Sequence, residues 1–285
     1  MDIGYTAIRV ASIAVVAGLV AATPEPGAWT AVVWSISFGH YGIGLWYSRT
    51  QVLAAGRLPG GLLRFALLGV AGGTLYWSDW PLTYYFGIHH ALNESYMLDR
   101  VTRAASSRQV RSLRAAGLVL HLVLYAALLR HRSPFAMLDA AWLLGALALS
   151  YTLFAVMLAR ARDVMSRREL FDNASLEVVG LGLLAASTVV DFNVLQIACY
   201  HFIFWILYPI RAQGRAGGRA LLGYLALTLG VTSVFVAFSP LAIFETHFAK
   251  ATYKELFVGL SFLHITLSFA VSSANPGWIR KRFTA

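Results

Sequence analysis

The chain has 285 residues, of which 58% are hydrophobic and only 13% charged, and its net charge is +10. A soluble domain carries about a quarter charged residues, so this composition, with a mean hydropathy of +0.65, excludes an ordinary water-soluble globule. The positive charge does not point to nucleic acid, because Arg and Lys collect between the apolar runs as topology signals do. The single cysteine, Cys199, excludes an intrachain disulfide and a Cys-based zinc or iron–sulfur site.

A membrane span needs roughly 20 apolar residues, and in lipid each backbone amide must be satisfied within its own element, which favours helices. Runs such as 115–129 and 221–238 do not alternate polar with apolar residues, as barrel strands would. The predicted architecture is an all-α, polytopic transmembrane bundle of about ten spans. In chain order they fall at 5–23, 30–48, 62–78, 82–97, 115–130, 136–159, 174–190, 194–210, 219–240 and 255–274. The first run imitates a signal peptide, with small residues near 19–22, but the charge pattern works better if it stays as a span. Ser78-Asp79-Trp80-Pro81 is expected to form a tight turn, and Asp191-Phe192-Asn193 another, with the two aspartates as caps.

Placing both termini on the cytoplasmic side puts Arg49, Arg57, Arg100, Arg103, Arg108, Arg111 and Arg114 in inner connections. Arg160, Arg162, Arg167, Arg168, Arg211, Arg215, Arg219, Arg280, Lys281 and Arg282 join them. The outer connections hold Arg130, Arg132, Lys250 and Lys254, while Arg9 and Arg64 fall near span ends. This asymmetry is the positive-inside pattern. With no repeat or linker evident, residues 1–285 read as a single integral-membrane domain of a bacterial-type cytoplasmic (inner) membrane.

His40, His89 or its neighbour His90, His201 and His264 lie in even-numbered spans, which all run from outside to inside. Each sits about 7 to 10 residues below the outer end, so at the helical rise their depths differ by only about 5 Å. A lone intramembrane histidine commonly serves as an interhelical hydrogen-bond partner. Four at one level have a common explanation in a metal, since imidazole binds iron, copper or zinc and a bundle can converge four helices on one point. Neighbours on a helix point about 100° apart, so His89 and His90 do not both face one centre. His89 shares a face with Tyr85, Asn93 and Tyr96, and His90 with Phe86, Glu94 and Met97. Glu94, deep in its span, is a candidate to orient an imidazole or move a proton. Asn93 is a candidate partner of the metal ligands, His121 reads as structural and Glu177 as interfacial. Tyr41, Tyr85, Tyr200 and Trp205 are expected to line a slot for a flat apolar substrate.

In four short islands the chain resembles the Brp/Blh family, the integral-membrane β-carotene 15,15′-dioxygenases of bacteria and archaea. The islands are Phe38-Gly39-His40-Tyr41-Gly42, Ile88-His89-His90-Ala91-Leu92-Asn93-Glu94, Ala198-Cys199-Tyr200-His201-Phe202 and Phe262-Leu263-His264-Ile265. Their order and approximate spacing agree with the family. Departures occur where the family has Asp and this chain has Gly44, Glu94 or Phe269, and where a second histidine of the third island is Trp205. The resemblance implies a four-histidine Fe(II) centre of His40, His89, His201 and His264, and O2-dependent cleavage of a polyene double bond to aldehydes such as retinal. The expected partners are a lipid-soluble small molecule, O2 and the membrane. The residues also leave open a two-iron hydroxylase or desaturase, a haem-binding electron carrier, and a transporter or assembly protein using intramembrane histidines. The first of these usually needs HxxxH and HxxHH clusters, and no HxxxH occurs.

Overall fold

The structure is a computed structural model that describes residues 4–23, 25–56, 79–100, 102, 104–132, 134–237, 247–271 and 276–278. Among the described residues it is all-helical, without strands. The α-helices are α1 (Tyr5–Ala22), α2 (Pro26–Gly56), α3 (Asp79–Tyr96), α4 (Arg108–Leu128), α5 (Ala140–Ala161), α6 (Arg167–Ala186), α7 (Val194–Ala216), α8 (Gly218–Ala237) and α9 (His247–Val271). Each coincides with a predicted span, with boundaries moved by a turn or two. The predicted span at 62–78 lies outside the described residues. Tyr5–Ala22, Arg108–Leu128, Ala140–Val164 and Gly218–Phe235 are long and apolar enough to cross a membrane.

Local chemistry sets several helix ends. Pro26 opens α2, where a missing N–H costs nothing. Ser107 caps α4 by accepting from the Val110 N–H at 3.2 Å. Asp139 caps α5 through the N–H groups of Ala141 and Trp142, at 2.9 and 3.0 Å. Ser166 and Glu169 form a reciprocal capping box at the start of α6. Gly217, at φ +115°, makes the turn from α7 to α8, a conformation that favours glycine. Two expectations are corrected here. The turn expected at 78–81 gives way to helix from Asp79 onward, because Pro81 falls in the first turn, where its absent N–H has no helical partner to lose. Arg108, Arg111 and Arg114 belong to the first turns of α4 instead of a connection, since arginine is a good helix former and Ser107 supplies the cap.

The described helices fall into two compact units. The first contains α1, α2, α7 from Leu195, α8 and α9. Its organising helix is α2. Phe38 stacks near Phe235 of α8, with ring centroids 4.7 Å apart, and Trp34 near Phe257 of α9, at 5.7 Å. Gly39 and Gly42 let α8 approach. A Cβ on Gly39 would come within 3.2 Å of Thr232 Cβ and 3.4 Å of its Cα, and one on Gly42 within 3.0 Å of Val231 Cγ1. Gly39→Val is therefore expected to force α2 and α8 apart at a cost of about 1–3 kcal/mol, as overpacking does. Gly18→Ala on α1, where a Cβ meets nothing within 4 Å, is the matched control. Denaturation in mixed micelles reads both, and equal stability of the two variants would refute the close-approach role.

The second unit contains α3 from Thr83, α4, α5 and α6. Val110, Leu113, Leu120, Phe154, Ala161 and Met165 form its core. Gly87 of α3 leaves room for the Tyr125 ring of α4, whose hydroxyl donates to the Thr83 carbonyl at 3.1 Å. In both units several buried serine and threonine hydroxyls are satisfied within their own helix. Ser12, Ser35, Ser95, Thr228 and Ser261 each donate to the carbonyl four residues back, which is how a polar side chain is carried in an apolar medium.

Buried charge is more extensive than hydropathy predicts. Arg9, expected near a span end, is fully buried in α1 and lies 5.9 Å from the Phe204 ring centroid. Arg114 is 3% exposed. It donates to Asp99 Oδ1 and Asn173 Oδ1, both at 2.6 Å, and to Thr102 Oγ1 at 3.2 Å. Glu177, expected at an interface, is buried on α6 with Oε1 3.8 Å from His121 Nε2. In each case the helix partner, not the local run of residues, decides the burial.

Candidate metal centre

The site in the first unit starts from one histidine on each of three helices. His40 lies in α2, His201 in α7 and His264 in α9. One ring nitrogen from each lies within 4.8 Å of the others. His40 and His201 are buried, and His264 is half-buried. His40 Nε2 is 3.0 Å from His264 Nε2, and the His40 and His201 ring centroids are 5.8 Å apart.

Small and aromatic neighbours set these rings. Gly44 follows His40 by one turn on the same face of α2, and a Cβ there would touch His264 Cε1 at 3.5 Å. The His264 ring therefore packs directly beside the Gly44 position of α2. Tyr41 packs against that ring, with centroids 4.8 Å apart. Its hydroxyl is 2.7 Å from Ser261 Oγ. Ser261 already donates its proton to the Phe257 carbonyl at 2.7 Å, so Tyr41 is the donor to Ser261. Phe202 wedges between the groups, with its centroid 5.3 Å from His40, 5.9 Å from His201 and 5.7 Å from Tyr41. Trp205 lies 6.3 Å from the His201 ring.

The donor set fits a first-row metal. At metal–nitrogen bonds of about 2.1 Å, two imidazoles bound at right angles have nitrogens about 3.0 Å apart, and at a tetrahedral angle about 3.4 Å. The His40–His264 separation matches the first value. Without metal the same separation is a hydrogen bond in which one imidazole donates to the other, and a metal would take the place of that proton. His201 would be the third ligand, its ring nitrogen lying within 4.8 Å of the other two. Three neutral imidazoles leave coordination positions for other ligands.

The remaining sequence candidates divide as follows. His89 is 2% exposed, and Asn93 Nδ2 lies 3.1 Å from its Nε2, so the face shared by His89 and Asn93 is as expected. His90 is half-buried and stacks on Phe86 at 5.9 Å, with ring planes 15° apart. Glu94 is buried and Tyr85 half-buried. These residues all belong to the second unit and are not members of the three-histidine group. Among the lining candidates, Tyr41 and Trp205 contact the histidines, whereas Tyr200 turns to Phe204, with centroids 6.2 Å apart. Ser261 was missed from sequence. Its signal is its position three residues before His264, which puts both on one face of α9.

No family model matches the chain, and neither a curated protein nor a solved structure matches it.

Proposed function

We propose that this chain is a multi-pass membrane metalloenzyme, a non-haem iron(II) dioxygenase that cleaves a double bond of a carotenoid or similar apolar isoprenoid. One double bond and one O2 give two aldehydes, which balances without a further reductant. The observation that carries the proposal is the gathering of His40, His201 and His264 within 4.8 Å from three separate helices. The four-island resemblance favours iron and a polyene. A first-row metal on neutral nitrogen ligands with open positions supplies O2 chemistry when bound. His40, His201 and His264 hold it. Tyr41, through its bond to Ser261, fixes the orientation of its ring against His264, and Phe202 and Trp205 present flat apolar faces of the kind that line a slot for an extended hydrocarbon.

The proposal extends to a bacterial-type cytoplasmic membrane with both termini inside. The test is elemental analysis of the protein purified in nanodiscs, followed by O2 uptake with β-carotene. About one iron per chain, with O2 consumed in step with aldehyde formed, is expected. Metal-free protein, two irons per chain, or a haem absorption band each sinks the reading.

A further inference from the structure

One end of the second unit carries a charge that the metal reading does not use. Gly117 of α4 packs on Phe154 of α5, where a Cβ would meet the ring at 3.5 Å. Two turns nearer the start of α4 and two turns nearer the end of α5, Val110 and Ala161 share one core with Met165. Asn173 of α6 accepts from Arg114 of α4 at 2.6 Å. The start of α4, the end of α5 and the start of α6 therefore meet at one end of the bundle. Six arginines are exposed there. Arg108 and Arg111 lie on α4, Arg160 on α5, Arg162 just beyond it, and Arg167 and Arg168 on α6.

The acidic groups described at this end do not balance them. Asp163 is paired with Arg162 at 3.4 Å. Glu169 accepts from the Ser166 N–H in the capping box of α6. Asp99 is bound by the buried Arg114, and Asp172 is buried. At the other end of the same helices the charges are matched. Arg132 meets Asp191 at 2.5 Å. Arg130 donates to the Ser187 hydroxyl and carbonyl at the end of α6, at 2.8 and 2.7 Å, and Asp139 caps α5. Helix stability does not account for the arginine end. Cations at the start of a helix oppose its dipole, and α4 has no acidic residue in its first turn to offset Arg108 and Arg111.

α4 and α5 are long and apolar enough to cross a membrane, so their common end falls at the headgroup level of a bilayer they cross. Apolar side chains are exposed directly beneath the arginines. Val156 lies one turn deeper than Arg160 on α5, and Phe171 one turn deeper than Arg167 and Arg168 on α6, at 42% and 64% exposure. Guanidinium above and apolar side chain below is the order of phosphate and acyl chain in a phospholipid. A free phosphate or a nucleic acid would leave the apolar half without a partner. We propose that the arginine end of the second unit binds anionic phospholipid. The guanidinium groups take the phosphate oxygens in a bidentate fork, and Val156 and Phe171 meet the acyl chains. Basic clusters beside membrane spans recognise anionic lipid in this way. The proposal rests on α4 and α5 crossing the membrane and is independent of the metal reading.

The test uses the full chain in nanodiscs made from equal parts of phosphatidylglycerol and phosphatidylcholine. Native mass spectrometry of the released protein reads the lipids that stay bound. Phosphatidylglycerol is expected to be retained several-fold over phosphatidylcholine. A quadruple variant, Arg108→Gln with Arg111→Gln, Arg160→Gln and Arg167→Gln, is expected to lose most of that preference, whereas Arg132→Gln at the other end keeps it. Should the quadruple variant fail to fold, photoreactive benzoylphenylalanine introduced at Phe171 places the lipid without removing charge. Its cross-links are expected to be enriched in phosphatidylglycerol, while the same probe at Trp142, exposed at the start of α5, reports the bulk proportion. Equal retention of the two lipids, an unchanged preference in the folded quadruple variant, or cross-links at Phe171 in the bulk proportion overturns the proposal. Inorganic phosphate that stabilises the protein in phosphatidylcholine nanodiscs as well as phosphatidylglycerol does also overturns it, because the site would then read soluble phosphate.

Discussion

Alanine at His40, His201 or His264 is expected to strip the protein of its metal and abolish polyene-dependent O2 uptake together. Losing a group that merely orients a ligand costs about 10–100-fold in metal affinity, so losing a ligand itself is expected to cost at least about 100-fold. The three positions lie on three helices, and their ring nitrogens are within 4.8 Å of one another, so each variant should give the same result. The apolar framework around them, Phe38 against Phe235 and Trp34 against Phe257, does not involve the histidines and should keep the variants folded. His131→Ala, at an exposed residue beyond α4, should retain full metal. Tyr41→Phe provides the graded case. It removes the hydroxyl bonded to Ser261 but keeps the ring against His264, so metal content should hold while metal affinity falls by less than in the alanine variants. Metal retained at full occupancy in any two of the three histidine variants would show that the cluster is a hydrogen-bonded packing feature.

Much of this arrangement is visible in the sequence because a membrane simplifies the code. Apolar runs of span length locate the helices, and the histidines at His40, His201 and His264 stand out within them before any contact is known. What a one-dimensional reading misses is burial decided by a partner far along the chain. Arg114 looks like one more basic residue in a connection until Asp99 and Asn173 are seen around it. Glu177 looks interfacial until His121 of another helix faces it. Gly44 looks like the loss of a polar residue from the resembled family, yet the position lies directly beside the His264 ring. In each case the informative fact is a pairwise distance, and hydropathy averaged along the chain carries no record of it.

Arg114→Met is expected to be the most destabilising single change outside the metal centre. Arg114 is 3% exposed and joins three segments of the second unit, through Asp99 in the 3-10 turn after α3, Thr102 beyond it and Asn173 on α6. Burial pushes the Asp99 carboxyl above its ordinary range, and the hydrogen bond and charge of Arg114 draw it back only in part. The pair therefore does not repay its own desolvation, as is common for buried ion pairs. Breaking it is a different matter. Methionine fills much of the volume but leaves Asp99 without its cation and the Asn173 carbonyl oxygen without its donor. Removing one partner of such a pair costs about 3–5 kcal/mol. Asp99→Asn alone should cost less, because the Asp99 side chain is 31% exposed and Arg114 keeps Asn173 and Thr102. Joining the two changes should recover part of the loss, since the double variant strands no carboxylate. Denaturation in mixed micelles of the wild type, both single variants and the double variant closes the cycle, and strictly additive losses would show that Arg114 and Asp99 are not coupled. A loss under about 1 kcal/mol for Arg114→Met, the range of an exposed ion pair, would place the guanidinium in contact with solvent and overturn its role as the tie between the α3 turn, α4 and α6.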